Sequence, residues 1–251
     1  MSSYEIASAG DDRKGRRVRR RDWRLGGRAV RRWDGRVVGI ALTSCGLSIV
    51  VAGQTAAVGA DWSEGGAQLA IWAGLFVPLL YALWLARPAG LFRFRPIDLM
   101  WGIAFGSLLR IFQGVLSGAN ATAFPSFPSM SPTLPITAWV EAGRAGGLIA
   151  PVFEELFFRG IILVGVYEVC RRSLGKLRAG LVSGALSTAL FVLLHVILSP
   201  VDLAGFLALT VVSFVCSGAV LLTGRIWTAV AIHLTYNAIY IFISVLGSVL
   251  A

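Results

Sequence analysis

The apolar positions of this chain gather into seven runs: Val37–Val58, Ala67–Ala86, Leu99–Leu116, Gly147–Val169, Ala179–Leu198, Leu203–Leu222 and Ile226–Leu246. Each run is long enough for a helix to cross the roughly 30 Å hydrocarbon core of a bilayer. None shows the alternation of a barrel strand, and a chain in lipid must satisfy its backbone internally, so the runs predict helices. The fold class read here is all-α, a polytopic transmembrane helix bundle of about seven spans. Its parts are a basic tail over 1–36, three N-terminal helices over 37–118, a Pro-rich loop and pre-helix over 119–146, and a four-helix core over 147–248. Within the loop, Ala119–Ile136 carries Pro125, Pro128, Pro132 and Pro135 with Phe124 and Phe127 and no charge. Proline removes donors and fixes φ, so the stretch reads as an outer loop, or more sharply as a cover over a cavity.

Composition agrees with a lipid solvent. The 251 residues are 56% hydrophobic and 14% charged, against roughly 25% charged in soluble domains, and the mean hydropathy is +0.75. The net charge of +10 is unevenly placed: residues 1–36 hold 12 of the 23 lysines and arginines. Because a span follows directly, this run reads as a cytoplasmic tail against anionic lipid and not as a nucleic-acid site. The short loops then alternate in sign. Asp61, Glu64 and Asp202 fall on one side, and Arg87, Arg93, Arg95, Arg171, Arg172, Lys176, Arg178 and Arg225 on the other. The positive-inside rule makes this a multi-pass cell-membrane protein with a cytoplasmic N-terminus. Cys45, Cys170 and Cys216 form no C-x-x-C motif and read as free thiols.

Ionisable groups inside spans are costly and mark function by default. The fourth run carries Glu154, Glu155 and Arg159, the fifth His195, and the seventh His233 with Asn237 one turn on; these are the chain's two histidines. On a helix Glu154 and Glu155 point about 100° apart, while Glu155 and Arg159, at i,i+4, form an ion pair. Glu154 is left as the carboxylate that faces a pocket and can act as a base. His233 and Asn237 share a face and can donate to one developing oxyanion. Packing alone explains Glu155–Arg159 but gives no reason for a second carboxylate beside it. Arg110, well inside the third run, reads as a long side chain bound to a backbone carbonyl, slightly ahead of a role in holding a substrate carboxylate. Counting from run ends places the pocket in the outer half of the bilayer.

These residues resemble the motifs of the CPBP family, the CAAX proteases and bacteriocin-processing enzymes. Glu154-Glu155-Leu156-Phe157-Phe158-Arg159 resembles its EExxxR motif, Phe191-Val192-Leu193-Leu194-His195 its FxxxH motif, and His233-Leu234-Thr235-Tyr236-Asn237 its HxxxN motif. Thr223-Gly224-Arg225-Ile226-Trp227 is similar to the turn before the third. The resemblance covers roughly residues 145–245. It implies an intramembrane endopeptidase in which Glu154 and His195 activate water, His233 and Asn237 hold the oxyanion, and Glu155 and Arg159 support them. The implied partners are membrane lipid and a membrane-associated or prenylated, CAAX-type protein or peptide. Two versions of the chemistry stay open. Glu154, His195 and His233 could hold a divalent metal such as zinc, or glutamate could act without a cofactor. Asparagine is a poor zinc ligand, which favours the second. The rival functions are a non-catalytic regulator or immunity-type peptide-binding protein of the same fold, and a transporter. The last would predict paired halves with broken helices, of which the chain shows no convincing pair.

Overall fold

The computed structural model describes residues 30–122, 125 and 147–250. Most of the basic tail and most of the Pro-rich segment, including the proposed cover, lie outside the described residues. The helices are α1 (Gly35–Ala57), α2 (Ser63–Leu85), α3 (Pro96–Leu116), α4 (Ala150–Glu155), a π-helical stretch (Leu156–Leu163), α5 (Val164–Leu198), α6 (Leu203–Thr223) and α7 (Ile226–Leu250). The described residues contain no strand. The helical bundle expected from the apolar pattern is the fold observed.

Six apolar helical runs are long enough to cross a membrane, and one of them, Gly147–Leu198, is 52 residues long. At 1.5 Å per residue it would reach roughly 78 Å, more than twice the hydrocarbon thickness. It is broken at Gly175, whose φ of 75° and ψ of 173° are non-helical. A positive φ of this kind is open to glycine and strained for other residues. The break falls among Arg171, Arg172, Lys176 and Arg178, where the sequence places a basic loop, and it divides the long run into two arms. The three cysteines are free, as expected.

Two close helix contacts organise the N-terminal half, and both use glycine. In α2, Gly74 faces Ser48 of α1, and Ser44 Oγ donates to the Gly74 carbonyl at 3.0 Å. In α3, Gly102 and Gly106 are four residues apart and face α7. A Cβ on Gly102 would lie 2.4 Å from the Ala231 Cβ, and one on Gly106 would lie 2.7 Å from the Ile232 carbonyl oxygen. Lipid gives helices no hydrophobic reason to associate, so small residues that admit close backbone approach do that work. Gly102→Ala should therefore destabilise by about 1–3 kcal/mol through overpacking, a fall in Tm of about 2–12 °C for a chain of this size. Gly46→Ala, with nothing within 4 Å of its Cβ, is the control and should leave the melt in detergent unchanged.

The end of the bundle that carries the basic loops is the most tightly fastened. Asp98, fully buried in the first turn of α3, accepts from Arg225 Nε at 2.9 and 3.0 Å, from Arg225 Nη2 at 2.6 Å, from Thr228 Oγ1 at 2.6 Å and from the Arg95 N–H at 2.9 Å. The Ile226 N–H donates to the Leu91 carbonyl and Trp227 Nε1 to that of Phe92. The turn leading into α7 is thus clamped to the start of α3, a pairing the sequence reading did not foresee.

The tail boundary also needs correction. Residues 30–33 are packed and not simply solvated. Val30 and Trp33 are buried, and Trp33 Nε1 donates to the carbonyls of Ala82 at 2.8 Å and Ala86 at 3.2 Å. Asp34 then caps α1, accepting from the N–H groups of Arg36 and Val37, and the helix begins at Gly35.

Candidate active site

The motif residues meet where α4, the π-helical stretch, the far arm of α5 and α7 converge. The first motif straddles the junction at which α-helix passes into π-helix, between Glu155 and Leu156. A π-helical turn carries an extra residue and leaves backbone groups poorly matched, which membrane helices accept when neighbouring side chains compensate. Here Ser187 Oγ donates to the Phe158 carbonyl at 2.9 Å. Arg159 Nη2 reaches α6, donating to Ser213 Oγ at 2.8 Å and to its carbonyl at 3.2 Å.

Glu155 and Arg159 are both completely buried, with Arg159 Nη1 3.2 Å from Glu155 Oε1. The ion pair read from the i,i+4 spacing is present, but Glu155 does more than neutralise the arginine. The same Oε1 lies 2.9 Å from His233 Nδ1. A carboxylate accepts, so His233 carries a proton on Nδ1 and its Nε2 is turned the other way. That Nε2 stands 3.9 Å from Glu154 Oε2, too far for a hydrogen bond, and each atom remains available to a third group. Glu154 is the partly accessible carboxylate of the two, its side chain 15% exposed against 0% for Glu155. The two adjacent glutamates therefore have different tasks: Glu155 fixes the ring of His233, and Glu154 faces its free nitrogen. The preceding residue, Phe153, is stacked on Trp72 at 5.6 Å and edge-on to Phe76 at 5.2 Å, both from α2.

His195 is held differently. Its Nδ1 lies 2.9 Å from the Phe191 carbonyl. A carbonyl only accepts, so Nδ1 carries the proton and, in the neutral ring, Nε2 is an acceptor. Its ring leans on Phe191 at 4.3 Å, and Phe191 meets His233 edge-on at 5.8 Å. The Arg159 guanidinium sits 4.5 Å above the same phenyl ring. Phe191 is fully buried and spaces the two histidines and the arginine; the sequence reading gave it no role beyond its motif letter. Asn237 Nδ2 donates to the Gly147 carbonyl at 3.2 Å, which occupies one of its two amide protons.

The structure thus brings Glu154, Glu155, Arg159 and His233 into one connected set, with His195 joined to it through Phe191 and Asn237 a turn above His233. It does not join His195 to Glu154 by any hydrogen bond or ion pair among the described residues. Among the described residues no three His, Cys, Asp or Glu side chains gather closely enough to hold an ion. Each histidine engages its Nδ1 and keeps Nε2 as the free nitrogen, and Phe191 touches both rings.

His233 is the eighth residue of α7, roughly 10 Å along the helix from Ile226. Ser213, the partner of Arg159, is the middle residue of α6. Gly147 stands level with Asn237, partway along α7. His195 lies in the last turn of α5.

Residues 138–239 match the family described as type II CAAX prenyl endopeptidase Rce1-like. Over that segment the chain is similar to this family. Comparison with curated proteins and with solved structures found no match. The matched segment contains every motif residue named above, and it ends shortly after Asn237. Helices α1 to α3 lie outside it; Trp72 and Phe76 of α2 pack on Phe153, and Gly102 and Gly106 of α3 pack on α7.

Proposed function

We propose that the chain is an intramembrane endopeptidase that cleaves a lipidated, CAAX-type protein or peptide, using Glu154 as general base. The observation that carries this reading is the division of labour between adjacent glutamates around His233, in a segment matched by an endopeptidase family. Water between Glu154 and the substrate attacks the peptide carbonyl carbon while Glu154 takes one of its protons. The tetrahedral oxyanion is held by His233 and Asn237. With Nδ1–H given to Glu155, Nε2 is the nitrogen left to face the oxyanion, and it donates there in the doubly protonated ring. His195, with its acceptor Nε2, orients the water. As the C–N bond breaks, the proton on Glu154 passes to the leaving amine. The family name supports a prenylated substrate.

The test is product identification. The purified protein in lipid nanodiscs is given a peptide ending in S-farnesyl-cysteine and three further residues with a free C-terminus. The expected products by mass spectrometry are a new C-terminal farnesyl-cysteine carboxylate and a released tripeptide, both missing with Glu154→Gln. Equal cleavage of the unprenylated peptide would shift the substrate class to membrane peptides at large, and no cleavage of either would overturn the reading.

A further inference from the structure

We infer that Arg110 of α3 is a specificity-determining residue that binds the free C-terminal carboxylate of the substrate, an assignment that rests on the endopeptidase reading above. Four arginines among the described residues are not exposed: Arg110, Arg159, Arg171 and Arg225. Three of them have a carboxylate within salt-bridge distance, namely Glu155, Glu168 and Asp98. Arg110 has none among the described residues. Its charge is met only by neutral groups. Nε and Nη2 donate to the Tyr236 carbonyl at 2.9 and 2.6 Å, Nη1 donates to Gln113, and the guanidinium lies 3.7 Å over the Tyr236 ring and 5.0 Å from that of Tyr240. A guanidinium has five N–H donors. Three are used, which leaves two on a cation with no carboxylate partner among the described residues, in a low-dielectric place where an anion is held strongly and a carboxylate fits the planar fork.

Position makes the anion a substrate terminus. Arg110 lies against Tyr236 and Tyr240, three and seven residues after His233 on α7. At 100° and 1.5 Å per residue, Tyr236 is about 60° from His233 around the helix and roughly 5 Å farther along it, and Tyr240 about 20° and roughly 10 Å. The cation therefore borders the catalytic face, displaced along it. Three extended residues span about 10 Å. A peptide bond placed at His233 and Glu154 with three residues beyond it would carry its terminal carboxylate to Arg110. The Tyr236 and Gln113 contacts hold the guanidinium there before substrate arrives, and Tyr236 Oη in turn donates to Gln113 Oε1 at 2.6 Å.

The experiment compares two farnesylated peptides that differ only at the C-terminus, one a free acid and one a carboxamide, cleaved by wild type, Arg110→Gln and Arg110→Lys, with Glu154→Gln as blank. Wild type should favour the acid at least tenfold in kcat/KM. Arg110→Gln should erase that preference by raising KM for the acid, with little effect on the amide, and Arg110→Lys should keep part of it. A purely structural arginine would lower both peptides together and leave their ratio intact. That result, or a wild type indifferent to the terminus, overturns the assignment while leaving the protease reading standing. Wild-type turnover no higher than the blank on both peptides overturns the two together.

Discussion

Glu154→Gln is expected to lower kcat by about 10²–10⁴-fold, the usual worth of a positioned general base, while the protein folds and enters the membrane as before. The amide has the shape of the carboxylate but cannot take a proton from water. Little stability should be lost, because the nearest charged partner of Glu154 is His233 Nε2 at 3.9 Å, beyond hydrogen-bonding distance. The measurement is single-turnover cleavage set beside a thermal melt in the same detergent. A variant with wild-type kcat would remove Glu154 from the chemistry. One that melts much lower would mean that Glu154 supports the fold, contrary to its partial exposure.

The neighbouring glutamate should behave in the opposite way. Glu155→Ala leaves the Arg159 guanidinium fully buried without its carboxylate, and breaking a buried pair from one side costs about 3–5 kcal/mol. For a chain of this length that is a fall in Tm of about 6–20 °C. Activity should fall as well, because His233 loses the acceptor that fixes its Nδ1. A double variant separates the two effects. In Glu155→Ala with Arg159→Met no buried charge is left stranded, and replacing a buried ion pair by apolar groups is often neutral or stabilising. The melt should recover while cleavage stays low. Recovery of both would show that Glu155 serves only the arginine.

The sequence carried the all-helical bundle and its long apolar helices, because such runs are visible one residue at a time. It carried the Glu155–Arg159 pair, since i,i+4 neighbours need only a helix. It also carried the leading account of Arg110, whose bond to the Tyr236 carbonyl is the one expected of a long cation in a span. What it missed depends on how separate helices stand against one another. The bond from His233 to Glu155 joins residues 78 positions apart and follows from helix rotation that no local pattern encodes. The π-helical winding has no residue signature in Leu156–Leu163. Two signals were present but unused. Gly102-x-x-x-Gly106 is the small-residue spacing of a close helix contact. Asp98, beside Pro96 at the head of an apolar run, is an ionisable group whose partner could be sought in the arginine of the turn before α7.

The buried seat of Trp33 bears on how the protein is made. Its indole N–H is bound by carbonyls at Ala82 and Ala86, 49 and 53 residues further on, and a Cβ on Gly165 would lie 3.8 Å from the Trp33 carbonyl oxygen. A ribosome adding roughly 5–20 residues per second takes about 2–10 s to reach the first of these partners. During that interval α1 stands in the bilayer with its leading tryptophan unseated. The α1–α2 hairpin then closes before any motif residue has been synthesised, and the fourth crossing comes to rest against a platform already built. A fusion partner joined close to Val30 would obstruct that order of assembly, whereas one placed ahead of a generous spacer would leave the hairpin free to form.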